Sequence, residues 1–284
     1  MLTVLDSINL STEYLKNKGI ESPRINAELI LAHILKMKRL DLYLSFDRPL
    51  KEDEIVLYRQ FLKRRSEFEP LQYILGTVNF FGLDFKISSA VLIPRPETEL
   101  LAEEIINEFK DQEFIKILDI GTGSGNIAIT LAKFLPNSII IATDISVEAI
   151  AIAVENAKSN GVSDKIIFAV NDIFSSENLT ENNFDVIVSN PPYITSQDFK
   201  NLSKELKDYE PKAALTDSSN GLSFYDIISS KCNIYLKKGG KLFFELGYGH
   251  SENVQEIMKK NHFISISVKK DYQNIDRIIR GEFL

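Results

Sequence analysis

The chain has 284 residues, which is enough for two domains or one large domain. Its 40 acidic and 33 basic residues give a net charge of −7, which argues against an extended nucleic-acid interface. Cys232 is the single cysteine, so no internal disulfide can form, and the three histidines lack the spacing of a metal site. We see no signal peptide and no apolar run of transmembrane length, so we expect a cytoplasmic protein without bound metal or membrane contact.

Residues 1–70 are predicted to form a small helical bundle that carries no catalytic group. Apolar residues recur at helical spacing in three stretches, Thr3–Lys18, a stretch that starts after Ser22, and Glu52–Glu67. We expect Ser22 to be an N-cap, because Pro23 follows it at a position that proline favours. The buried face of this second helix should carry Ile25, Leu29, Ala32 and Leu35. Residues 71–93 form a linker, in which the alternation around Gly82 predicts a β-hairpin.

Residues 94–284 alternate between strand and helix patterns and are predicted to form a doubly wound α/β domain with a parallel sheet. A helix should run from about Glu97 to Phe109. The predicted strands are Ile115–Ile120, Ile139–Thr143, Ile166–Val170, Phe184–Ser189, Lys241–Leu246, Phe263–Lys269 and Ile275–Arg280. We expect the last two strands to pair as a hairpin, which places an antiparallel strand at the end of the sheet. Residues 194–220 are predicted to be a long polar loop, and Gly239-Gly240 a turn.

The tetrapeptide Asn-Pro-Pro-Tyr follows the buried strand Phe184–Ser189. Because proline lacks an N–H and has a fixed φ, the two prolines end the strand and stiffen the backbone at a carboxyl strand end, where open α/β sheets bind ligands. The tetrapeptide offers a carboxamide and unpaired backbone carbonyls, which can accept the hydrogens of a planar NH2 group, and an aromatic ring, which can cover its face. Asn-Pro alone is a common turn, but the whole tetrapeptide after a buried strand favours a functional site. The expected substrate-binding residues are Asn190, Pro191, Pro192 and Tyr193, with Asn190, Pro191 and Tyr193 taking part in catalysis.

A glycine-rich loop, Gly-Thr-Gly-Ser-Gly, joins the strand Ile115–Ile120 to the next helix. Asn126 stands where a dinucleotide fingerprint has its last glycine, which favours S-adenosylmethionine over a nicotinamide cofactor. Asp144 ends the next strand, where an acidic residue conventionally binds ribose hydroxyls. Asp172 could accept the adenine amino group or could be an ordinary turn residue. The expected cofactor-binding residues are Gly121, Thr122, Gly123, Ser124, Gly125, Asp144, Asp172, Ile173 and Asn190.

Four stretches together carry a family resemblance. They are residues 93–99 (Ile-Pro-Arg-Pro-Glu-Thr-Glu), 118–125 (Leu-Asp-Ile-Gly-Thr-Gly-Ser-Gly), 190–194 (Asn-Pro-Pro-Tyr-Ile) and 209–211 (Tyr-Glu-Pro). Over nearly its whole length the chain resembles the HemK/PrmC protein-glutamine methyltransferases. Asn-Pro-Pro-Tyr also occurs in methyltransferases that act on DNA adenine, so residues 93–99 are the discriminating stretch. Ile173 departs from some relatives, which have an aromatic residue there.

The resemblance implies a Rossmann-like class I methyltransferase domain at residues 94–284. It implies transfer of a methyl group from S-adenosylmethionine, leaving S-adenosylhomocysteine, to the glutamine amide nitrogen in the Gly-Gly-Gln loop of peptide-chain release factors. Since an amide nitrogen is a poor nucleophile and a methyl sulfonium a strong electrophile, the enzyme would mainly position the two. Asn190 and the Pro191 carbonyl would hold the amide hydrogens, and Tyr193 would pack on the amide plane. Residues 1–70 would recognise the folded release factor, and we expect a monomer.

Three other functions compete with this one. A related branch methylates a glutamine of a ribosomal protein but departs from the pattern of residues 93–99. The acidic charge balance and the absence of an evident target-recognition domain argue against a second alternative, adenine-N6 methylation of nucleic acid. A cofactor-binding module without catalysis would not need an intact Asn-Pro-Pro-Tyr motif.

Overall fold

The computed structural model describes residues 2–172 and 184–284, and these form two compact units. Residues 2–77 with 203–209 form the first unit, and residues 78–172, 184–202 and 210–284 form the second. The helices are α1 Val4–Asn17, α2 Pro23–Leu35, α3 Arg39–Tyr43, α4 Glu52–Ser66, α5 Leu71–Leu75, α6 Glu99–Phe109, α7 Asn126–Phe134, α8 Val147–Asn160, α9 Ser196–Lys200, α10 Lys204–Tyr209, α11 Lys212–Leu215, α12 Ser223–Tyr235 and α13 Ser251–Lys260. The strands are β1 Thr77–Phe80, β2 Leu83–Lys86, β3 Ile115–Ile120, β4 Ser138–Asp144, β5 Ile166–Val170, β6 Phe184–Ser189, β7 Leu236–Glu245, β8 Phe263–Lys270 and β9 Asp276–Phe283. None of the helices found in the described ranges is long and apolar enough to span a bilayer.

The first unit is helical, as expected, but two details of α2 differ from the prediction. Its buried apolar residues are Ala27, Ile30, Leu31 and Ala32. Of the predicted face, Ala32 is confirmed as buried and Leu29 and Leu35 are partly buried, but Ile25 is 42% exposed, so that position was wrong. Ser22 precedes the helix with a positive φ of 49° and makes no capping bond through its side chain. The Asn26 side chain instead donates to the Ser22 carbonyl at 3.0 Å. A side-chain amide one turn into the helix therefore ties down the entry that the serine hydroxyl was expected to cap.

A buried glutamate organises charged side chains in the first unit. Glu28 is fully buried on α2 and accepts hydrogen bonds from Arg24 at 2.8 Å, Arg39 at 2.7 Å and Tyr43 at 2.9 Å. Burial alone would raise the pKa of Glu28, but the hydrogen bonds outweigh it and leave the pKa below its usual value. The carboxylate therefore stays ionised and holds α2 to α3.

Helix α10 packs with the N-terminal helices although it is distant from them in sequence. Arg65 of α4 is 4% exposed and donates to Asn26 at 2.7 Å and to Glu205 of α10 at 2.5 Å. The Tyr209 hydroxyl donates to the Glu67 carbonyl at 2.9 Å. The predicted loop of residues 194–220 contains three short helices, so the expectation of a continuous loop was wrong.

The second unit holds a seven-stranded sheet with the strand order β5-β4-β3-β6-β7-β9-β8. Strands β3 to β7 are parallel, and β9 runs antiparallel between β7 and β8. Apolar residues of α6 and α7 pack in the core that includes Ile117 and Val188, whereas residues of α12 and α13 pack in the core that includes Leu118 and Ile187. Alternate residues of β3 and β6 thus face opposite helical layers, which is why both strands carry apolar residues on both faces. The predicted α/β fold is confirmed.

Three further predictions can be compared with the structure. The hairpin around Gly82 is confirmed by β1 and β2. The helix expected from Glu97 begins as a 3-10 turn at Pro96–Thr98 and becomes α6 at Glu99. The predicted turn at Gly239-Gly240 was wrong, because both glycines lie inside β7, where the pairing with β6 shifts register. A Cβ on Gly240 would lie 2.8 Å from Leu236 Cγ, so glycine is required by close packing within an irregular strand.

Candidate active site

The carboxyl ends of three neighbouring strands meet at one edge of the sheet. Ile120 of β3 is in register with Thr143 of β4 on one side and with Ser189 of β6 on the other. The Ser189 hydroxyl donates to the Ile120 carbonyl at 2.7 Å and joins two of these ends directly. The chain runs outward from β3 through β4 to β5 and then returns to β6 on the opposite side of β3, so the connection reverses here. Such a reversal opens a crevice that binds ligands in open α/β sheets.

The glycine-rich loop follows β3 directly. The amides of Gly121 and Thr122 both donate to the Thr143 carbonyl, at 2.9 and 2.8 Å. Gly121 and Gly123 have positive φ values of 75° and 55°, and a Cβ at either would meet no atom within 4 Å. Gly125 also has a positive φ, but a Cβ there would lie 2.9 Å from Ile129 Cδ1. The first two glycines thus leave open space beside the backbone, whereas the third allows tight packing against α7.

Asp144 stands at the end of β4 and supports the same loop. Its Oδ2 accepts from the Gly123 amide at 2.8 Å, and its Oδ1 accepts from the Ser146 amide at 2.9 Å. A carboxylate has about four acceptor sites, so each oxygen keeps capacity for a hydroxyl hydrogen. The Asp144 carbonyl accepts from Asn171 at 2.9 Å, which brings the start of the loop after β5 to the end of β4. Ile145, directly after Asp144, is 63% exposed.

Asp119 is a buried carboxyl group beneath the loop that the sequence analysis did not single out. It is completely buried on β3, and the Thr122 hydroxyl donates to its Oδ2 at 2.7 Å. Burial raises the pKa of Asp119 to about 7, because it disfavours the charged form more than the Thr122 hydrogen bond favours it. Its Oδ1 is buried and meets no hydrogen-bond partner within the described part of the chain. A carboxyl group among the apolar residues at the end of a strand is a signal that could have revealed it.

The Asn190 carboxamide is held by a chain of side-chain hydrogen bonds. Its Nδ2 donates to the Thr98 hydroxyl at 3.2 Å, and this hydroxyl donates to Glu245 Oε2 at 2.5 Å. Thr98 and Glu245 are each 1% exposed. These hydrogen bonds thus link the end of β6 to the turn before α6, and that turn to the end of β7.

Glu245 also holds the aromatic residue of the motif. The Tyr193 hydroxyl donates to Glu245 Oε1 at 3.2 Å. Burial, together with the charge of Glu245, raises the pKa of Tyr193, so its hydroxyl keeps the proton that it donates. Burial also raises the pKa of Glu245, although the Thr98 hydrogen bond, the charge of Arg277 and the Tyr193 hydrogen bond oppose this rise. One buried carboxyl group therefore contacts Tyr193 directly and reaches Asn190 through Thr98.

Residues 93–99 owe part of their pattern to hydrogen bonds inside the second unit. Arg95 donates to Glu210 Oε1 at 2.6 Å, and the Ile93 amide donates to Glu210 Oε2 at 3.3 Å. Glu99 accepts from the Phe81 amide at 2.8 Å. Arg95 and Glu210 thus connect two of the four stretches that carry the family resemblance, and Thr98 connects one of them to the Asn-Pro-Pro-Tyr motif.

The loop before α12 lies against the motif. Asp217 accepts from the backbone amides of Ser219, Gly221 and Ser223 at 2.8 to 3.1 Å, which shapes this loop. A Cβ on Gly221 would lie 2.2 Å from the Tyr193 carbonyl oxygen, so only glycine fits. Pro191 is buried, and none of the residues that the structure describes donates a hydrogen bond to its carbonyl.

The structure places most of the predicted site residues at one edge of the sheet. The glycine loop, Asp144 and Asn190 follow the adjacent strands β3, β4 and β6. Asp172 follows β5, whose end is joined to β4 through Asn171. Ile173 lies outside the described residues. Thr98 and Glu245 were missed as site residues, although a glutamate directly after the apolar run of residues 242–244 is a signal of the same kind as Asp119.

Comparisons with known proteins identify the family. Residues 6–76 match the PrmC N-terminal domain, and residues 96–209 match the methyltransferase small domain. The release factor glutamine methyltransferase of Fusobacterium nucleatum is 41% identical over 276 residues, which cover 97% of this chain and 77% of that protein. The enzyme of the same name from Geobacter sulfurreducens is 40% identical over 279 residues, covering 98% of this chain and 96% of that protein.

Solved structures support the fold. A methyltransferase from Pyrococcus furiosus superimposes with a TM-score of 0.52 at 20% identity, covering 71% of this chain and 89% of that one. The catalytic domain of hMettl16 superimposes with a TM-score of 0.56 at 18% identity, covering 82% and 83%. The names of the sequence relatives do not favour the methylation of a ribosomal protein or of adenine. Because two relatives of at least 40% identity match over nearly all of its length, the chain belongs to the family of release factor glutamine methyltransferases.

Proposed function

We propose that this enzyme transfers a methyl group from S-adenosylmethionine to the glutamine side-chain amide in the Gly-Gly-Gln loop of peptide-chain release factors, in the cytoplasm and as a monomer. The observation that carries the proposal is the Asn190 carboxamide, fixed at the end of β6 beside the glycine loop of β3. Bound S-adenosylmethionine supplies a methyl group on a positively charged sulfur, which is a strong electrophile. The residues of this chain therefore have to bring a weakly nucleophilic amide nitrogen to that methyl group.

The residues at the ends of β3 and β4 fit the cofactor. The open space beside Gly121 and Gly123 lets a ligand approach the backbone. Asp144 keeps acceptor capacity for two ribose hydroxyls beside its bonds to Gly123 and Ser146. The exposed side chain of Ile145 offers an apolar surface for an adenine ring. In this proposal Asp172 accepts the adenine amino group.

The residues after β6 fit a primary amide. Asn190 Oδ1 and the Pro191 carbonyl would each accept one hydrogen of the glutamine NH2, which turns the nitrogen lone pair toward the methyl group. Accepting both hydrogens also stabilises the positive charge that develops on nitrogen during transfer. Tyr193 would cover the face of the amide. Two hydrogen-bond acceptors on a rigid Pro-Pro backbone would therefore position the nucleophilic nitrogen, and no general base is needed.

The first unit is proposed to recognise the folded release factor. A glutamine side chain is too small to identify a protein, so specificity needs contacts elsewhere on the partner. The short helix α3 and the residue after it present Leu40 and Leu44, which are 77% and 88% exposed. Two large apolar side chains at neighbouring helical positions are a suitable contact for a protein surface.

Asp144→Ala should weaken cofactor binding. The substitution removes a charged acceptor for ribose hydroxyls and leaves the Gly123 amide without its partner. A hydrogen bond to a charged group contributes roughly 1.5–3 kcal/mol, so affinity for S-adenosylmethionine should fall about 10- to 100-fold. Isothermal calorimetry measures this, with the exposed Asp164→Ala as control. Equal affinities of the two folded variants would remove Asp144 from the cofactor site.

Asn190→Ala should spare cofactor affinity and lower turnover. Its role is to orient the acceptor amide, so the expected loss in kcat is on the order of 10²–10³, by analogy with the loss of one oxyanion-hole donor. Labelled methyl transfer to a purified release factor measures turnover, and calorimetry measures cofactor binding. If the variant lost cofactor affinity as strongly as turnover, Asn190 would be a cofactor ligand and the proposed substrate role would fail.

Replacing Leu40 and Leu44 together by aspartate should reduce methylation of the intact release factor but not of a short Gly-Gly-Gln peptide. The side chains of both leucines are largely exposed, so the fold should tolerate the change. We expect kcat/KM on the intact protein to fall at least about tenfold, because buried apolar contact is lost and charge is added. Tyr272→Asp, at a site that is 93% exposed in the second unit, is the control. Equal fractional losses on protein and peptide would rule out recognition through this surface.

A further inference from the structure

We propose that Thr98 and Glu245 are positioning residues that hold the Asn190 carboxamide with its oxygen, and not its nitrogen, presented to the substrate. The inference rests on the proposed function, in which Asn190 Oδ1 accepts a hydrogen of the glutamine amide. It concerns two side chains that lie outside the Asn-Pro-Pro-Tyr motif and on different elements of the second unit, the turn Pro96–Thr98 and the strand β7.

An asparagine side chain can lie in either of two orientations that differ in hydrogen bonding. The oxygen and nitrogen of a carboxamide are nearly equal in size, and a half-turn of the group exchanges an acceptor for a donor. The NH2 group of the substrate amide can only donate a hydrogen bond. If Asn190 presented its own NH2 group to the substrate, two donors would meet and no hydrogen bond would form. Something in the protein must therefore select one of two sterically equivalent orientations.

The direction of the hydrogen bonds from Asn190 through Thr98 to Glu245 makes this selection. An ionised carboxylate only accepts, so the Thr98 hydroxyl must commit its single hydrogen to Glu245 Oε2, 2.5 Å away. The Thr98 oxygen then has only lone pairs left for Asn190, 3.2 Å away. Asn190 has to present its NH2 group to Thr98, which leaves Oδ1 on the other side of the group. No donor among residues 2–172 and 184–284 occupies Oδ1.

Two hydroxyl donors and a nearby cation oppose the rise in the pKa of Glu245 that burial causes. The Tyr193 hydroxyl donates to its second carboxylate oxygen. Arg277 is the cation that acts on Glu245, while Glu97 is the opposing anion. The Tyr225 hydroxyl donates to the Glu245 carbonyl at 2.8 Å and accepts from the Gly247 amide at 3.2 Å, which fixes the backbone at Glu245 and directly after it. The carboxylate is therefore held in place by its own backbone as well as by its side-chain partners.

The same series of hydrogen bonds also makes Asn190 Oδ1 a stronger acceptor. Hydrogen bonds that run in one direction polarise each other, and this effect is strong where water is excluded. Negative charge on Glu245 draws the Thr98 hydrogen and makes the Thr98 oxygen a stronger acceptor for the Asn190 NH2 group. Electron density on Asn190 Oδ1 rises in consequence, so Oδ1 holds the amide hydrogen more strongly as the substrate nitrogen becomes positive.

Thr98→Val tests the proposal, because it keeps the shape of the side chain and removes the hydroxyl. We expect kcat for release factor methylation to fall on the order of 10- to 100-fold, the value of one hydrogen bond to a charged group. Affinity for S-adenosylmethionine should stay unchanged, and Thr98→Ser should restore most of the activity. Glu245→Gln should lower kcat at least as much, since its NH2 group can donate to Thr98 and free the hydroxyl to reverse the Asn190 amide.

Thr130→Val is the matched control. Thr130 is as deeply buried as Thr98, but its hydroxyl meets no hydrogen-bond partner in the described ranges. The substitution is therefore the same in volume and burial and differs only in the hydrogen bonds lost. We expect unchanged kcat and an unchanged or higher melting temperature. If Thr98→Val behaved like Thr130→Val in the assay, the positioning role would be refuted.

A double-mutant cycle separates positioning from general structural damage. If Thr98 acts through Asn190, Thr98→Val should lower kcat by no more than about twofold in an Asn190→Ala background, because its target is gone. An equal loss in both backgrounds would overturn the proposal and leave Thr98 as a structural residue. Full activity of Asn190→Ala alone would instead contradict the proposed function, so the two failures can be told apart.

Discussion

The buried carboxylate of Glu245 is the group on which the arrangement of the active site depends. It lies at the end of β7, accepts from Tyr193 directly and holds Asn190 through the Thr98 hydroxyl. A charge in such a place is unfavourable unless donors surround it, because burial disfavours the ionised form. Of the two hydroxyl donors to this carboxylate, Tyr193 belongs to the proposed amide site, and Thr98 accepts the hydrogen bond of Asn190. The electrostatic requirement of one residue thus fixes the geometry of two others.

The parallel sheet explains why these residues can meet. Strands β4, β3, β6 and β7 are neighbours, and their carboxyl ends lie at one edge of the sheet, so residues distant in sequence follow one another in space. The Asp144 carboxylate supports the glycine loop from one side of β3, and the Glu245 chain supports the Asn-Pro-Pro-Tyr motif from the other. In the proposed function, one half of the edge binds the ribose of the cofactor and the other half binds the amide. The strand order reverses between β3 and β6, which is where open α/β sheets bind ligands.

Much of this could be predicted from local sequence patterns. The strands β3, β5 and β6 were predicted at their observed boundaries, since buried parallel strands are short apolar runs bounded by turns.

The prediction failed where tertiary contacts decide the local structure. Ser22 has the residue type of an N-cap, but its positive φ prevents the capping bond. Gly239 and Gly240 have the composition of a turn, but both lie within β7, where Gly240 packs closely against Leu236. Thr98 and Glu245 are 147 residues apart, and neither carries a motif that indicates the other. Their partnership is a property of the folded sheet, which no local pattern encodes.

Mass spectrometry of a release factor tests the central claim most directly. Purified release factor, made without its own methyltransferase, would be incubated with this enzyme and S-adenosylmethionine, digested and sequenced by fragmentation. The account predicts the mass of one methyl group, about 14 Da, on the side chain of the glutamine in the Gly-Gly-Gln loop, with transfer abolished when that glutamine is replaced. A methyl group on any other residue, or transfer that continues after the replacement, would contradict the account.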